Sequence, residues 1–348
     1  MHDLRHYGLV HWALKRGGSI HPVILPKELT GETGIMNPSI FFHKGKLLLN
    51  VRHVNYTLYH SEGKKFPHTW GPLQYIHPEN DVSLTTHNIM CELDAHLNIV
   101  PGSANRIKMN LDTGEPTWNF IGLEDGRLFA WEDRLFLCGV RRDCYDDKGK
   151  GRMEMCEIEF IDGVWQEVSR NPIPAPGDDG TYCEKNWMPI VDMPWHFVKW
   201  CNPTEVVKYD INTRTTTTVH LDESQFRPDI FFRDLRGGTQ VLPIGDGRHM
   251  CFTHEVDLSK DIFHRKDGHY NHRIIVWDKD WNLIKWTNDF HFLGTQIDPV
   301  TGYEYNIEFA TGMQFVNGQV LIVFGYQDNG TFILRMPEDL FFEFVSRG

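Results

Sequence analysis

The sequence predicts an all-β fold, a five-bladed β-propeller, from three observations. Short apolar runs separated by tight turns dominate the chain, and long helical periodicity is missing. Five segments also share one layout: a polar or glycine-containing anchor, an apolar run, a short turn and a second apolar run. The anchors are Asn37-Pro38-Ser39-Ile40, Glu124-Asp125-Gly126-Arg127, Glu184-Lys185-Asn186-Trp187, Arg236-Gly237-Gly238-Thr239 and Glu308-Phe309-Ala310-Thr311. Repeats of this kind place equivalent positions around one centre. Four of the five anchors carry charge, so the centre is expected to be a polar, carboxylate-rich pocket. A two-sheet sandwich is the competing architecture.

Each anchor leads into a hairpin. Ile40-Phe41-Phe42 turns through His43-Lys44-Gly45 into Lys46 to Val51, and Leu128-Phe129-Ala130 turns through Glu132-Asp133 into Leu135 to Val140. Met188 to Val191 turns through Asp192-Met193-Pro194 into His196 to Trp200. Gln240 to Pro243 turns through Gly245-Asp246-Gly247 into His249 to Thr253, and Met313 to Val316 through Asn317-Gly318 into Val320 to Phe324. Helices are expected only near the N-terminus and near Pro337 to Phe342. The anchors lie further apart than the roughly 40–50 residues of the commoner propeller repeats, so long loops must connect the blades. Residues 1–36 read as an extension packing on the propeller, 37–336 as the propeller itself and 337–348 as a tail. The Pro- and Gly-rich stretch Asn171 to Gly180 reads as an inter-blade loop.

The 348 residues carry a formal charge of −12, which disfavours anionic membranes and a nucleic-acid acceptor without excluding the latter. No window is apolar enough to span a membrane, and residues 1–16 show no secretion pattern. Seven cysteines without a Cys-x-x-Cys pair read as buried thiols in a reducing, cytoplasmic setting. Two glycosylation tripeptides, at Asn55 and Asn329, therefore carry little weight. His264, His269 and His272 match no common zinc spacing, so no metal is expected. Self-association of the chain, as a homo-oligomer, is compatible with these features.

At the anchors the sequence resembles a known group. Asn37-Pro38-Ser39-Ile40 with Asn50-Val51-Arg52 and Asn55-Tyr56 is similar to its first blade, and Leu123 to Phe129 is similar to its Glu-Asp-Pro-Arg signature, with Gly126 where the group has proline. Glu184 to Pro189 resembles the third-blade signature; Ile307 to Gly312 and Gly325-Tyr326-Gln327-Asp328 resemble the fifth. The group is the propeller superfamily of glycoside hydrolase family 130, the mannoside phosphorylases, with the related β-mannosyltransferases. The resemblance implies transfer of a mannose-like glycosyl unit between a glycoside and phosphate or an acceptor. It implies no cofactor; inorganic phosphate or a sugar-phosphate donor is the co-substrate, and a carbohydrate the partner.

By position, the resemblance assigns the general acid/base to Asp125. It assigns sugar contacts to Asn37, Arg52, Asn55, Arg127, Glu184, Asn186, Glu308 and Asp328. Arg127 lies two residues beyond Asp125, so in a regular strand both side chains share a face. Phosphate binding is assigned to Arg141, Lys185, His254 and His272, with Arg142 beside them. An inverting hydrolase would instead need a second carboxylate, Glu184 or Glu308, about 6.5–9.5 Å from the acid. A propeller that only binds carbohydrate or protein is the third reading, because Gly126 adds freedom next to Asp125. Specificity is expected from the loops Cys144 to Arg152 and Asp257 to Tyr270.

Overall fold

The computed structural model describes residues 4–31, 34–55, 57–59, 74–76, 83–111, 114–177, 180–231, 235–260, 266–294, 296–297, 304–305 and 307–347. Five sheets of four or five strands, antiparallel but for one short parallel pair in the first, are arranged as a five-bladed propeller, and no two-sheet sandwich forms among the described residues. Blade one contains Ile35–His43, Lys46–Val54, Leu84–Leu93 and Asn105–Arg106. Blade two contains Glu124–Trp131, Arg134–Arg141, Arg152–Ile161 and Val164–Ile173. Blade three runs Met188–Pro189, His196–Cys201, Thr204–Asp210 and Thr215–Leu221. Blade four has a broken inner strand, Leu235–Gly237 and Leu242–Pro243, followed by His249–Lys260, Lys266–Trp277 and Leu283–Trp286.

Blade five joins Glu308–Val316, Gln319–Tyr326 and Gly330–Pro337 to an outer strand from the N-terminal segment, Ser19–Pro22. That strand corrects the expected boundary at 37, because its backbone bonds place it inside the fifth sheet. The expected tail is a helix, Glu338–Arg347, whose Leu340, Phe341, Phe344 and Val345 are buried. Phe341 and Phe344 pack with Leu9 and Val10 of the N-terminal helix Leu4–Leu14 against blades four and five.

The core is a ring of apolar clusters between blades. Ile40, Leu49 and Val51 of blade one meet Leu321 and Val323 of blade five. Phe129, Trp131 and Phe136 of blade two meet Trp187 and Phe197 of blade three, and Phe41 and Leu48 join the same cluster from blade one. Met188 and Val198 meet Cys251, Ile275 and Trp277. Each such side chain contributes about 1.5–3 kcal/mol by leaving water. Buried polar groups bolt the inner strands together. Gln240 Nε2 of blade four donates to Ile40 O at 3.0 Å and Met313 O at 2.9 Å, reaching blades one and five. Thr311 Oγ1 donates to Pro38 O at 2.6 Å, and Leu128 N donates to Ser39 Oγ at 2.7 Å. The hub is thus fixed by geometry as well as by burial, which suits it to hold side chains of different blades in register.

Among the cysteines, Cys91, Cys138, Cys156, Cys201 and Cys251 are buried, Cys183 is half-buried and Cys144 is exposed, so the expectation of uniformly buried thiols is corrected. No described helix is long and apolar enough to cross a membrane. His264 and part of the loop Asp257 to Tyr270 lie outside the described residues.

Candidate active site

The site is built where inner strands begin. Register shifts recur in these strands, and those at Asn37 and Asp125 aim polar side chains. The pairing of Ile35–His43 with Lys46–Val54 shifts register between Met36 and Ser39, and Asn37 there has φ +45. The pairing of Glu124–Trp131 with Arg134–Arg141 shifts between Cys138 and Val140, and Asp125 has φ +55. A left-handed non-glycine residue is costly, and such strain gathers at functional positions. Bulges of this kind re-aim side chains. The backbone opposite is Gly139, where a Cβ would lie 2.2 Å from Glu124 O, so only glycine lets the strands approach this closely.

The re-aimed Asp125 carboxylate meets blade one. Its Oδ1 accepts from Asn37 Nδ2 at 2.7 Å and from Arg52 Nη1 at 2.7 Å. Arg52 is buried, bonds Thr86 Oγ1 through Nε at 3.2 Å, and lies 3.4 Å from Glu124 Oε2 through Nη2. Burial pushes the Asp125 pKa up, but Arg52, the Asn37 hydrogen bond, Arg127 and Lys185 together pull it below its ordinary value. Glu124 moves the other way, raised by burial and by Asp125 despite Arg52. Asp328 follows the second strand of blade five at φ +50; burial first, then Asp125 and Glu124, raise it to about 6 against Arg52. Arg52 thus meets both Asp125 and Glu124, and the three carboxyls are pushed in opposite directions, Asp125 down and Glu124 and Asp328 up, the arrangement by which acid and base roles are separated.

The bulge also corrects the expected pairing of Asp125 with Arg127. Arg127 is fully buried and faces away from the Asp125 carboxylate. Its Nε donates to Gly238 O at 2.7 Å, Nη2 to Gly237 O at 3.2 Å and Asn186 Oδ1 at 3.4 Å, and Nη1 to Asp125 O at 3.0 Å. It is a staple joining blades two, three and four, and it acts on the Asp125 carboxylate only through its charge. Asn186, at φ +65 and buried, is part of that staple. Asn55 Oδ1 accepts from Thr85 N at 2.9 Å and so ties the end of one strand to its neighbour.

The two extra glutamates are both buried and hydrogen-bonded within the fold. Glu308 is buried and accepts from Phe292 N at 2.5 Å and Leu293 N at 2.8 Å. Burial raises it to about 7 against those two bonds. Glu184 Oε2 accepts from Trp187 Nε1 at 2.9 Å, and the residue is buried.

The expected phosphate group divides. Lys185 is exposed, acts on the charges of Glu124 and Asp125, and makes no ion pair with a described residue. Arg141 is instead buried in an ion-pair network: Nε lies 2.9 Å from Asp143 Oδ1, and Nη1 3.5 Å from Glu154 Oε1. His272 is fully buried, accepts from Ala310 N through Nε2 at 3.3 Å, and burial lowers it to about 3, so it supplies no positive charge. The expectation for Arg141 and His272 therefore fails on burial and on prior pairing. The strand that contains His254 runs on past the expected hairpin end at Thr253 to Lys260, which places His254 opposite His272. Its ring stacks on Tyr270 at 5.7 Å, and burial holds it well below its ordinary value. Nδ1 of His254 has no hydrogen-bond partner among the described residues.

Four neighbours are not singled out as site residues by sequence reasoning. Glu124 and Arg236 stand within the anchors without a mark of their own. Arg142 adjoins Arg141, and nothing in the pattern separates the two. Tyr270 has no signal; burial first, then the charges of Asp328 and Asp125, raise its phenol.

No protein-family model matches the chain, and no curated protein matches it in sequence. Solved structures do match in fold. A GDP-Man-dependent mannosyltransferase from Leishmania mexicana is similar with a TM-score of 0.51 at 13% identity, over 92% of this chain and 90% of that one. A β-1,2-mannobiose phosphorylase from Listeria innocua, in complex with β-1,2-mannobiose, is similar at 0.51 and 10%, over 94% of each chain. A glycosyl hydrolase from Bacteroides ovatus is similar at 0.55 and 11%, over 88% and 85%. The chain thus has the five-bladed propeller fold on which those proteins are built. At these identities the likeness is one of architecture, and the chemistry must be argued from the site.

Proposed function

We propose that this protein is an enzyme that moves a mannose-like glycosyl unit between a sugar 1-phosphate or related phosphorylated donor and a carbohydrate hydroxyl. Asp125 exchanges the proton. The observation that carries this is the Asp125 carboxylate held at a bulge by Asn37 and Arg52. Arg52 and Asn37 favour the ionised form, so the carboxylate is ready to accept a proton. In the synthetic direction it takes the proton of the acceptor hydroxyl, the acceptor oxygen forms the new bond at the anomeric carbon, and the phosphate leaves with the old bond pair. In reverse, phosphate attacks and Asp125 returns the proton to the departing oxygen. Lys185 and Arg236 offer positive charge for the phosphate, and His254 offers a neutral ring nitrogen. Asp328 and Glu124 are placed to accept from sugar hydroxyls.

The neighbours support this reading because one scaffold serves a transferase, a phosphorylase and a hydrolase. Hydrolysis through Glu308 is less well supported, since both its oxygens face backbone amides. Gly126 keeps φ outside the left-handed region, and its carbonyl accepts from Asn50 Nδ2 at 3.3 Å, so the missing proline does not free Asp125. Five buried, unpaired thiols support a reducing compartment.

The test supplies mannose 1-phosphate or GDP-mannose with mannose or mannobiose. Wild type should lengthen the acceptor, and Asp125→Asn should reduce turnover by about 10²–10⁴ while retaining sugar binding. Release of free mannose without transfer would favour hydrolysis. No turnover across the donors would leave a binding propeller.

A further inference from the structure

We propose that the rim between blades two and three carries a second sugar subsite, formed by Tyr182, Arg142 and Phe120, which holds the carbohydrate ring beyond the one that reacts. This deepens the glycosyl-transfer reading and rests on it.

Tyr182 is 46% exposed, yet it is held firmly. Its hydroxyl donates to Lys148 O at 2.9 Å and accepts from Arg142 Nη2 at 3.0 Å. Its backbone carbonyl accepts from Gly151 N at 3.0 Å. The Arg142 guanidinium lies 4.9 Å from the Phe120 ring centre and 5.5 Å from that of Tyr182, and its Nε donates to Gly149 O at 2.9 Å. Gly149 in turn seats against the Trp118 indole, where a Cβ would be 2.3 Å from Nε1. An exposed aromatic residue ordinarily gains nothing from such fixation. Here the ring is preorganised with one face layered by a cation, so little rotamer freedom is lost on binding.

The place of this platform gives its purpose. Arg142 directly follows the blade-two strand Arg134–Arg141, whose Val140 pairs with Glu124. Its charge acts on Glu124. Tyr182 is three residues before Lys185, whose charge acts on Asp125. The platform therefore stands at the end of the blade-two strand that pairs with Glu124, the residue before Asp125. A pyranose ring has an apolar C–H face that packs on the phenol and edge hydroxyls that accept from a guanidinium. Nη1 of Arg142 makes no hydrogen bond among the described residues. That pairing of flat apolar surface and an adjacent donor fits a neutral carbohydrate.

Calorimetric titration with mannose, mannobiose and mannotriose tests the assignment on wild type, Tyr182→Ala and Tyr182→Phe. Wild type should bind mannobiose and mannotriose more tightly than mannose. Tyr182→Ala should remove about tenfold of that gain and leave mannose affinity unchanged, with Tyr182→Phe intermediate. A gain that survives Tyr182→Ala, or equal loss for all three sugars, overturns the subsite while the transfer reading stands. No binding of any of them to folded wild type overturns both. If GDP binds and only its affinity falls in Tyr182→Ala, the platform holds a nucleobase and the sugar assignment is overturned.

Discussion

Arg52 Nη1 donates to Asp125 Oδ1 at 2.7 Å across the seam between blades one and two. The bond fixes both the aim and the charge of the carboxylate. Removing the guanidinium by Arg52→Ala raises the Asp125 pKa, since the first favourable charge is lost while burial remains. Whichever limb of the pH–rate profile titrates with Asp125 should then move to higher pH. At pH 7 kcat/KM should fall by at least about tenfold. Arg52→Lys keeps a charge but not the fork, and should recover only part. An unmoved profile would separate Asp125 from proton transfer.

Gly139→Ala should damage activity more than fold. The added methyl collides with Glu124 O and comes within 3.2 Å of Leu123 Cγ. Relief requires the bulge to shift, at about 1–3 kcal/mol. Denaturant midpoints and turnover, measured together, check the disproportion.

Arg127→Met should cost about 3–5 kcal/mol, read from urea unfolding, because it leaves the Gly237 and Gly238 carbonyls buried without their donor. Arg127→Lys should rescue little, since one ammonium cannot serve acceptors on three blades. A variant as stable as wild type would refute the staple.

Glu308 makes stability depend on pH in a defined sense. Burial raises its folded pKa to about 7, above an unfolded value of about 4.3. The folded state therefore holds this proton more tightly. The contribution is complete below the unfolded value and is lost as pH rises through about 7. Glu308→Gln removes the titration. The Tm of wild type minus that of the variant should be larger at pH 5 than at pH 8, and a difference constant across that range would exclude the linkage.

The blades were legible because they depend on local pattern. Alternating apolar runs and turn residues mark each hairpin, anchor positions put Asn37 and Asp125 around one centre, and Asp328 came only from the resemblance. What was hidden depends on packing. Period-two reasoning put Arg127 beside the Asp125 carboxylate, but a register shift turned the aspartate away from that rule. Arg141 read as a free cation because Asp143 and Glu154 approach it only after the sheet forms. His254 and His272, which the resemblance assigns to phosphate, are uncharged because both lie buried within long strands that form only in the folded sheet. Tyr270 lies in the strand Lys266–Trp277, whose first half reads as loop in the sequence because Asp267, Gly268 and His269 break the apolar alternation.

The pairing of Ser19 with Arg335 joins positions 316 apart. Chain emerging from a ribosome can complete its middle modules early, yet this outer strand has no partner until the residues near 335 have been made. Circular closure is thereby deferred to a late act of biosynthesis, and an unclosed circle leaves the edge of its final module open to pairing with another molecule.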